Sequence, residues 1–246
     1  MKNPITAALC ANAGVSITTP EGRIWIDALH DEHEETFSDV TPAMWDEMKT
    51  HPDFRDPDVL VFTHLHGDHF SRRLLEEAMR LYPHAKVILP SAEESFRQFT
   101  VGQDEISCIR TLHEGRAFTD TLHEAVVIES TGRRILLTGD MRVDAETAAK
   151  LVRDFCRNTG AEMHGTEETR RPSGLFDTVF AAFPWETTTR GRKILEDILR
   201  PEQVVLYHIP FQEDDLFGYR DGVRKVLTEN GIIVKALMEP FEKIEL

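Results

Sequence analysis

The chain has 246 residues, 41% hydrophobic and 29% charged, with a formal net charge of −15, which is the composition of an ordinary globular protein. That acidity argues against a broad phosphate-binding face, since polyanion affinity rests on clustered Lys and Arg, so nucleic acid is disfavoured as a partner. No apolar run approaches the roughly 20 residues that span a bilayer, and Met1-Lys2-Asn3-Pro4 lacks the layout of a secretory signal; the expectation is a cytoplasmic chain with no membrane partner.

In chain order, Gly14 to Thr18 and Arg23 to Asp27 read as two strands joined by the turn Pro20-Glu21-Gly22. Thr41 and Pro42 open a short helix as N-cap and first helical residue. The apolar run Val59-Leu60-Val61-Phe62 reads as a strand, and Ser71 caps a helix from Arg72 to Tyr82. Lys86 to Leu89 is strand-like, and Ser91-Ala92-Glu93-Glu94 matches a capping box for another helix. The stretch from Thr100 to Asp120 carries little pattern. Leu122 to Ser130 and Arg133 to Asp140 then read as strands about the turn Thr131-Gly132. Asp144 caps a helix to Asn158, stopped by Gly160, and Ala161 to Gly174 is polar enough for a loop or flap. Phe176 to Phe183, Gln203 to Ile209 and Ile232 to Leu237 are strands, and Thr189 to Leu199 and Asp214 to Glu229 are helices. Strands and helices alternate with no linker or repeat, so residues 1–246 are read as one layered α/β domain. Cys10, Cys108 and Cys156, an odd set without CxxC spacing, are expected to be free thiols.

The strand at Val59 ends in Thr63-His64-Leu65-His66-Gly67-Asp68-His69. Folding requires no such tip, and three imidazoles with a carboxylate suit a borderline divalent metal: zinc first, manganese or iron as alternatives. Adjacent Asp68 and His69 are poorly placed to bind the same ion as His64 and His66, which points to two metals. Later strand ends supply more ligand types. Asp140 ends one strand and His208 follows Val204-Val205-Leu206-Tyr207, at the carboxyl ends where α/β sheets place their sites. The position midway between His123 and Asp140 falls on the Thr131-Gly132 turn, so a regular hairpin would set the two side by side. The midpoint of His113 and Asp140 lies inside the strand, and His123 is therefore the expected ligand, with His113 the alternative.

His64-x-His66-x-Asp68-His69, His123, Thr138-Gly139-Asp140 and His208 together resemble the five-motif signature of the metallo-β-lactamase superfamily, a match running over most of the chain. The resemblance implies a four-layer αβ/βα sandwich, two mixed β-sheets flanked by helices, with a binuclear site at one edge. It also implies that His64, His66 and His123 hold one metal, that Asp68, His69 and His208 hold the other, and that Asp140 bridges them. Glu124-Ala125-Val126 departs from the small-residue turn common after the third histidine. The function implied is a metal-dependent hydrolase. In it a hydroxide shared between two cations and oriented by Asp68 attacks a small, anionic ester, lactone or phosphoester, most like the branch containing sugar-phosphate lactonases. A nucleic-acid phosphodiesterase and an iron-dependent oxidoreductase on the same fold are the alternatives. Arg72 and Arg142 are candidates for binding an anionic group and His30 and His33 for the cleft mouth, with a structural or surface role the favoured reading of all four; Trp185 is a candidate for the pocket wall, with core or rim packing weighed equally.

Overall fold

In the strand His123–Ser130, Val126 and Ile128 enter one apolar cluster, Ala125 and Val127 enter another, and all four are fully buried. A strand apolar on both faces must be covered on both sides, and the layers of the computed structural model follow from that. It describes residues 4–32, 36–162, 174–227 and 233–246; His33 and most of the expected flap between Ala161 and Gly174 lie outside them.

The elements in order are β1 (Thr6–Leu9), β2 (Val15–Thr18), β3 (Arg23–Ile26), α1 (Pro42–Met48), β4 (Val59–Val61), α2 (Arg72–Leu81) and β5 (Lys86–Ile88). These are followed by β6 (Phe96–Val101), β7 (Asp104–Thr111), β8 (His123–Ser130), β9 (Arg133–Leu137), α3 (Ala145–Thr159), β10 (Thr178–Ala182) and α4 (Pro184–Thr187). The last are α5 (Thr189–Ile194), β11 (Gln203–Tyr207), α6 (Tyr219–Leu227), β12 (Ile233–Ala236) and β13 (Lys243–Glu245). One sheet runs β13-β1-β2-β3-β4-β5 and the other β12-β11-β10-β9-β8-β7-β6. Both are mixed: β3, β4 and β5 are parallel, as are β9 through β12, while the remaining pairs are antiparallel.

The first core cluster lies between the sheets. Val126, Ile128, Ile135, Leu137, Phe180 and Val205 of the second sheet meet residues of the first there. Trp25 of β3 packs against Trp45 of α1, with ring centroids 6.4 Å apart, and against Tyr82 at the end of α2, 5.9 Å away, which sets both helices against the first sheet. The second cluster joins Val127, Leu136, Val179 and Leu206 to Leu151 and Phe155 of α3 and Val223 of α6. The result is the two-sheet, helix-flanked sandwich expected from the sequence. Trp185 is fully buried in the second cluster. Cys10 and Cys108 are buried thiols that desolvation pushes up to about 12. Among the described residues no helix is long and apolar enough to cross a membrane.

Capping chemistry set the helix starts as expected. Thr41, Ser71 and Asp144 each accept a hydrogen bond from the backbone N–H three residues on, and Gly160 closes α3 at φ 71°. Ser91-Ala92-Glu93-Glu94 forms no helix: the Ser91 hydroxyl accepts only from the Glu93 N–H, and Arg110 ties the carbonyls of Ser91 and Glu94 to β7. The last helix begins at Tyr219 rather than Asp214, where the Asp215 carboxylate accepts from the Tyr219 and Arg220 N–H groups.

Candidate metal centre

β4 stops at Val61, and the chain leaves the sheet before its histidines. The His69 and Phe70 N–H groups both donate to the His66 carbonyl, closing a tight turn that brings Asp68 and His69 back toward the strand end. Asp27, one residue past β3 and at φ 50°, lies alongside. Its buried carboxylate accepts the Thr63 N–H at 2.7 Å, the Thr63 hydroxyl at 2.6 Å and His69 Nδ1–H at 2.9 Å. Because the Thr63 hydroxyl gives its hydrogen to Asp27, it can only accept from His64 Nδ1–H, 3.0 Å away. Asp27 thereby commits Nδ1–H of two rings, one directly and one through a hydroxyl, so that Nε2 of each is the atom a cation would bind. His113 Nδ1–H donates to the Glu114 carbonyl at 2.6 Å, with the same result.

The free nitrogens converge. His64 Nε2 and His113 Nε2 lie 3.3 Å apart, and with His66 they form a group whose ligand atoms are all within 4.8 Å of one another. Asp68, His69, Asp140 and His208 form a second such group. In it, His208 Nε2 is 3.0 Å from His69 Nε2, 3.3 Å from Asp68 Oδ2 and 3.3 Å from Asp140 Oδ1. The Asp140 carboxylate is divided between the two groups: Oδ1 faces His69 at 3.5 Å and His208, while Oδ2 faces His113 at 3.6 Å. His208 sits at φ 58° just past β11, with the Phe37 ring edge-on at 4.6 Å.

The electrostatics differ between the groups. Burial lowers His64 well below the usual imidazole range and lowers His66 too. In the second group, burial opposes every charge but loses to pairing. Asp68 is held low by His69 and His208, and Asp140 by His208 and His69, whereas the carboxylates of Asp68 and Asp140 raise His69 well above its ordinary value and Asp140 raises His208. The second group is therefore a cage that demands positive charge. The first sets His64 Nε2 and His113 Nε2 face to face at 3.3 Å, two nitrogens whose lone pairs a cation could share. Both donor sets fit divalent cations.

Six of the seven expected ligand residues, His64, His66, Asp68, His69, Asp140 and His208, lie in these groups. His113, the alternative, stands in the first group, and His123 lies beside it: the fully buried His123 ring bonds through Nδ1 to Thr111 Oγ1 at 2.7 Å, with centroids 5.2 Å from His64 and 5.6 Å from His113, while its Nε2 has no hydrogen-bond partner among the described residues. Burial depresses it to about 3. The β8–β9 register runs as the hairpin arithmetic required, from Ser130↔Arg133 to Val126↔Leu137. β9 ends at Leu137, however, and Gly139 turns at φ 51°. The chain beyond then pairs with the continuation of β7: His113 bridges Met141, the Glu114 N–H donates to the Asp140 carbonyl at 2.8 Å, and the Arg142 N–H donates to Leu112 at 2.7 Å. His113 thus reaches Asp140 across a junction of three segments.

Gly139 allows that junction. A Cβ on it would lie 2.8 Å from His123 Nε2 and 2.8 Å from Thr63 Oγ1. Gly139→Ala is expected to cost about 2–4 kcal/mol from left-handed strain and overpacking together, seen as a lower urea midpoint at an unchanged slope.

Asp27 had no sequence signal beyond its position at a strand end. His30 is buried, and its Nδ1–H donates to the Asp27 carbonyl at 2.8 Å, so it braces Asp27 instead of lining a mouth. Arg142 pairs with Asp144 at 3.1 Å, and Arg72 is exposed on α2.

No family model and no curated protein sequence matches the chain. Solved structures do. YhfI from Bacillus subtilis, described as a metallo-β-lactamase fold protein, superposes with a TM-score of 0.55 at 12% identity, over 99% of this chain and 100% of its own. The chain has the metallo-β-lactamase fold. A possible metal-dependent hydrolase from Veillonella parvula superposes on that fold at 0.63 and 15% identity, covering 99% of this chain and 100% of its own. CmlA from Streptomyces venezuelae, a diiron β-hydroxylase, matches at 0.54 and 14% identity over all of this chain, which spans 55% of CmlA.

Proposed function

We propose that the chain is a hydrolase working with two divalent cations, zinc foremost, on a small anionic ester, lactone or phosphoester. The observation that carries this is the set of three Nδ1–H commitments, at His64, His69 and His113, which leave Nε2 as the ligating atom of His64 and His113 in the first group and of His69 in the second. His64, His66 and His113 would hold one ion, Asp68, His69 and His208 the other, and the split carboxylate of Asp140 would serve both. When bound, the cations would supply Lewis acidity, bringing the pKa of a water from about 15.7 to about 7 and steadying the charge that develops on the attacked group.

The chain's own residues do the rest. Asp68 stays ionised beside His69 and His208 and presents a carboxylate that orients the attacking water. Asp27 commits the Nδ1 protons of His64 and His69, so that Nε2 is the atom each ring offers a cation. Phe37 against His208 and Phe118 against His66 and His113 border the two groups with apolar surface, which strengthens charge interactions inside. The net charge of −15 weighs against long nucleic-acid substrates.

The likeness to a diiron β-hydroxylase fold gives the redox reading a specific footing, since imidazole and carboxylate also suit iron. One experiment separates the two. The metal-replete chain is assayed against lactones, phosphodiesters and thioesters, and metal is counted on the same sample. The expected result is turnover of a lactone or phosphoester with two equivalents of zinc or manganese, lost on chelation and restored by the metal. Bound iron, no hydrolysis and oxygen consumption would instead establish the redox reading.

A further inference from the structure

His66 is held differently from its two neighbours. It is the one partly exposed histidine of the first group, and its hydrogen bond is made through Nε2, to Thr121 Oγ1 at 3.2 Å, where His64 and His113 commit Nδ1. Thr121 belongs to the segment between His113 and β8, and that segment is folded onto the site. Gly115, at φ 86°, opens a 3-10 turn over Arg116–Phe118. The Phe118 N–H donates to the Gly115 carbonyl at 3.2 Å, and the Thr121 N–H donates to the Phe118 carbonyl at 3.0 Å. The Phe118 ring lies 5.0 Å from the ring of His66 and 5.2 Å from that of His113. Phe118 therefore packs on His66 while Thr121 pins one edge of it.

We propose that Thr121 is a positioning residue for His66, accepting its Nε2–H and holding the ring in the tautomer that leaves the Nδ1 lone pair for the first ion. A neutral imidazole carries one N–H, and a ligating nitrogen must carry none. With Nε2 occupied by Thr121, Nδ1 is the atom left to bind. A half-exposed ring without this acceptor exchanges tautomers and rotates, and the first ion loses one of three nitrogens part of the time. The inference rests on the two-ion reading above but concerns a residue outside both ligand groups.

The test uses the full chain loaded with Zn2+, as wild type, Thr121→Val and Thr121→Ser, each titrated with a competing chelator while retained zinc is counted. Long-range nitrogen–proton NMR correlations report the His66 tautomer in the same samples. Valine keeps the shape and removes the acceptor. It is expected to release one zinc equivalent at about 10–100-fold weaker affinity and keep the other, while serine behaves as wild type and the wild-type His66 proton resides on Nε2. Wild-type retention of both equivalents in Thr121→Val overturns the inference alone, as does a wild-type His66 proton on Nδ1. Joint loss of both equivalents with a lowered Tm marks a merely structural role and also overturns it. A wild-type chain that retains no zinc overturns the two-ion reading and this inference together.

Discussion

Replacing His113 by alanine is expected to release one of two metal equivalents and to lower hydrolytic kcat/KM on the order of 10³-fold, while His123→Ala keeps both equivalents. The first effect follows from position: His113 Nε2 faces His64 Nε2 at 3.3 Å and Asp140 Oδ2 at 3.6 Å, so its loss opens the first group on the side that meets the shared carboxylate. An ion that supplies several kcal/mol of transition-state stabilisation corresponds, at about 1.4 kcal/mol per tenfold, to the stated rate loss. His123 contributes packing and the bond to Thr111, so its removal is expected to cost about 1–3 kcal/mol of stability, read by urea unfolding, with the metal count unchanged. Metal analysis and steady-state kinetics on the two variants decide the matter. The opposite pattern would return His123 to the site and remove His113.

What was legible in the sequence, and what was not, divides along contact range. His64, His66, Asp68 and His69 stand within six positions at the end of an apolar strand, so their residue types and spacing carry the chemistry by themselves. The helix caps at Thr41, Ser71 and Asp144 are similarly local. β6 was missed because its residues alternate between half-buried and exposed, as an edge strand's do, which leaves no strong apolar period. The capping-box pattern at Ser91 was overridden by Arg110 and Glu124, which take the backbone groups a helix would need. His113 ranks behind His123 in the sequence for a topological reason. The hairpin arithmetic weighs two strands, and the partner of Asp140 comes from the extension of a third, β7, past the end of β8. Asp27 was invisible because its partners, Thr63 and His69, lie 36 and 42 residues further along. Its backbone conformation at φ 50° cannot be read from an aspartate after a strand.

Asp27→Asn is expected to leave the fold intact and weaken both ions by about 10–100-fold each, whereas Asp27→Ala is expected to destabilise the chain by about 3–6 kcal/mol. In the wild type one carboxylate oxygen accepts the Thr63 N–H, and the other accepts both the Thr63 hydroxyl and His69 Nδ1–H. Asparagine retains one acceptor for the Thr63 N–H and tolerates the left-handed backbone. Its amide nitrogen, however, is a donor facing two donors. His69 relieves the conflict by moving its proton to Nε2, into the second group. The Thr63 hydroxyl, now receiving from the amide, turns its hydrogen toward His64 Nδ1 and drives that ring's proton to Nε2, into the first group. One isosteric change thus places a proton on a ligating nitrogen in each group. Alanine is worse for the fold, because it leaves three buried donors without an acceptor and holds a non-glycine residue without a polar side chain at positive φ. Zinc retention under chelator competition, with urea unfolding on the same proteins, checks both expectations. An Asp27→Asn chain that keeps both zinc equivalents at wild-type affinity would show that the ring tautomers are set elsewhere, and the relay from Asp27 through Thr63 to His64 would have to be abandoned.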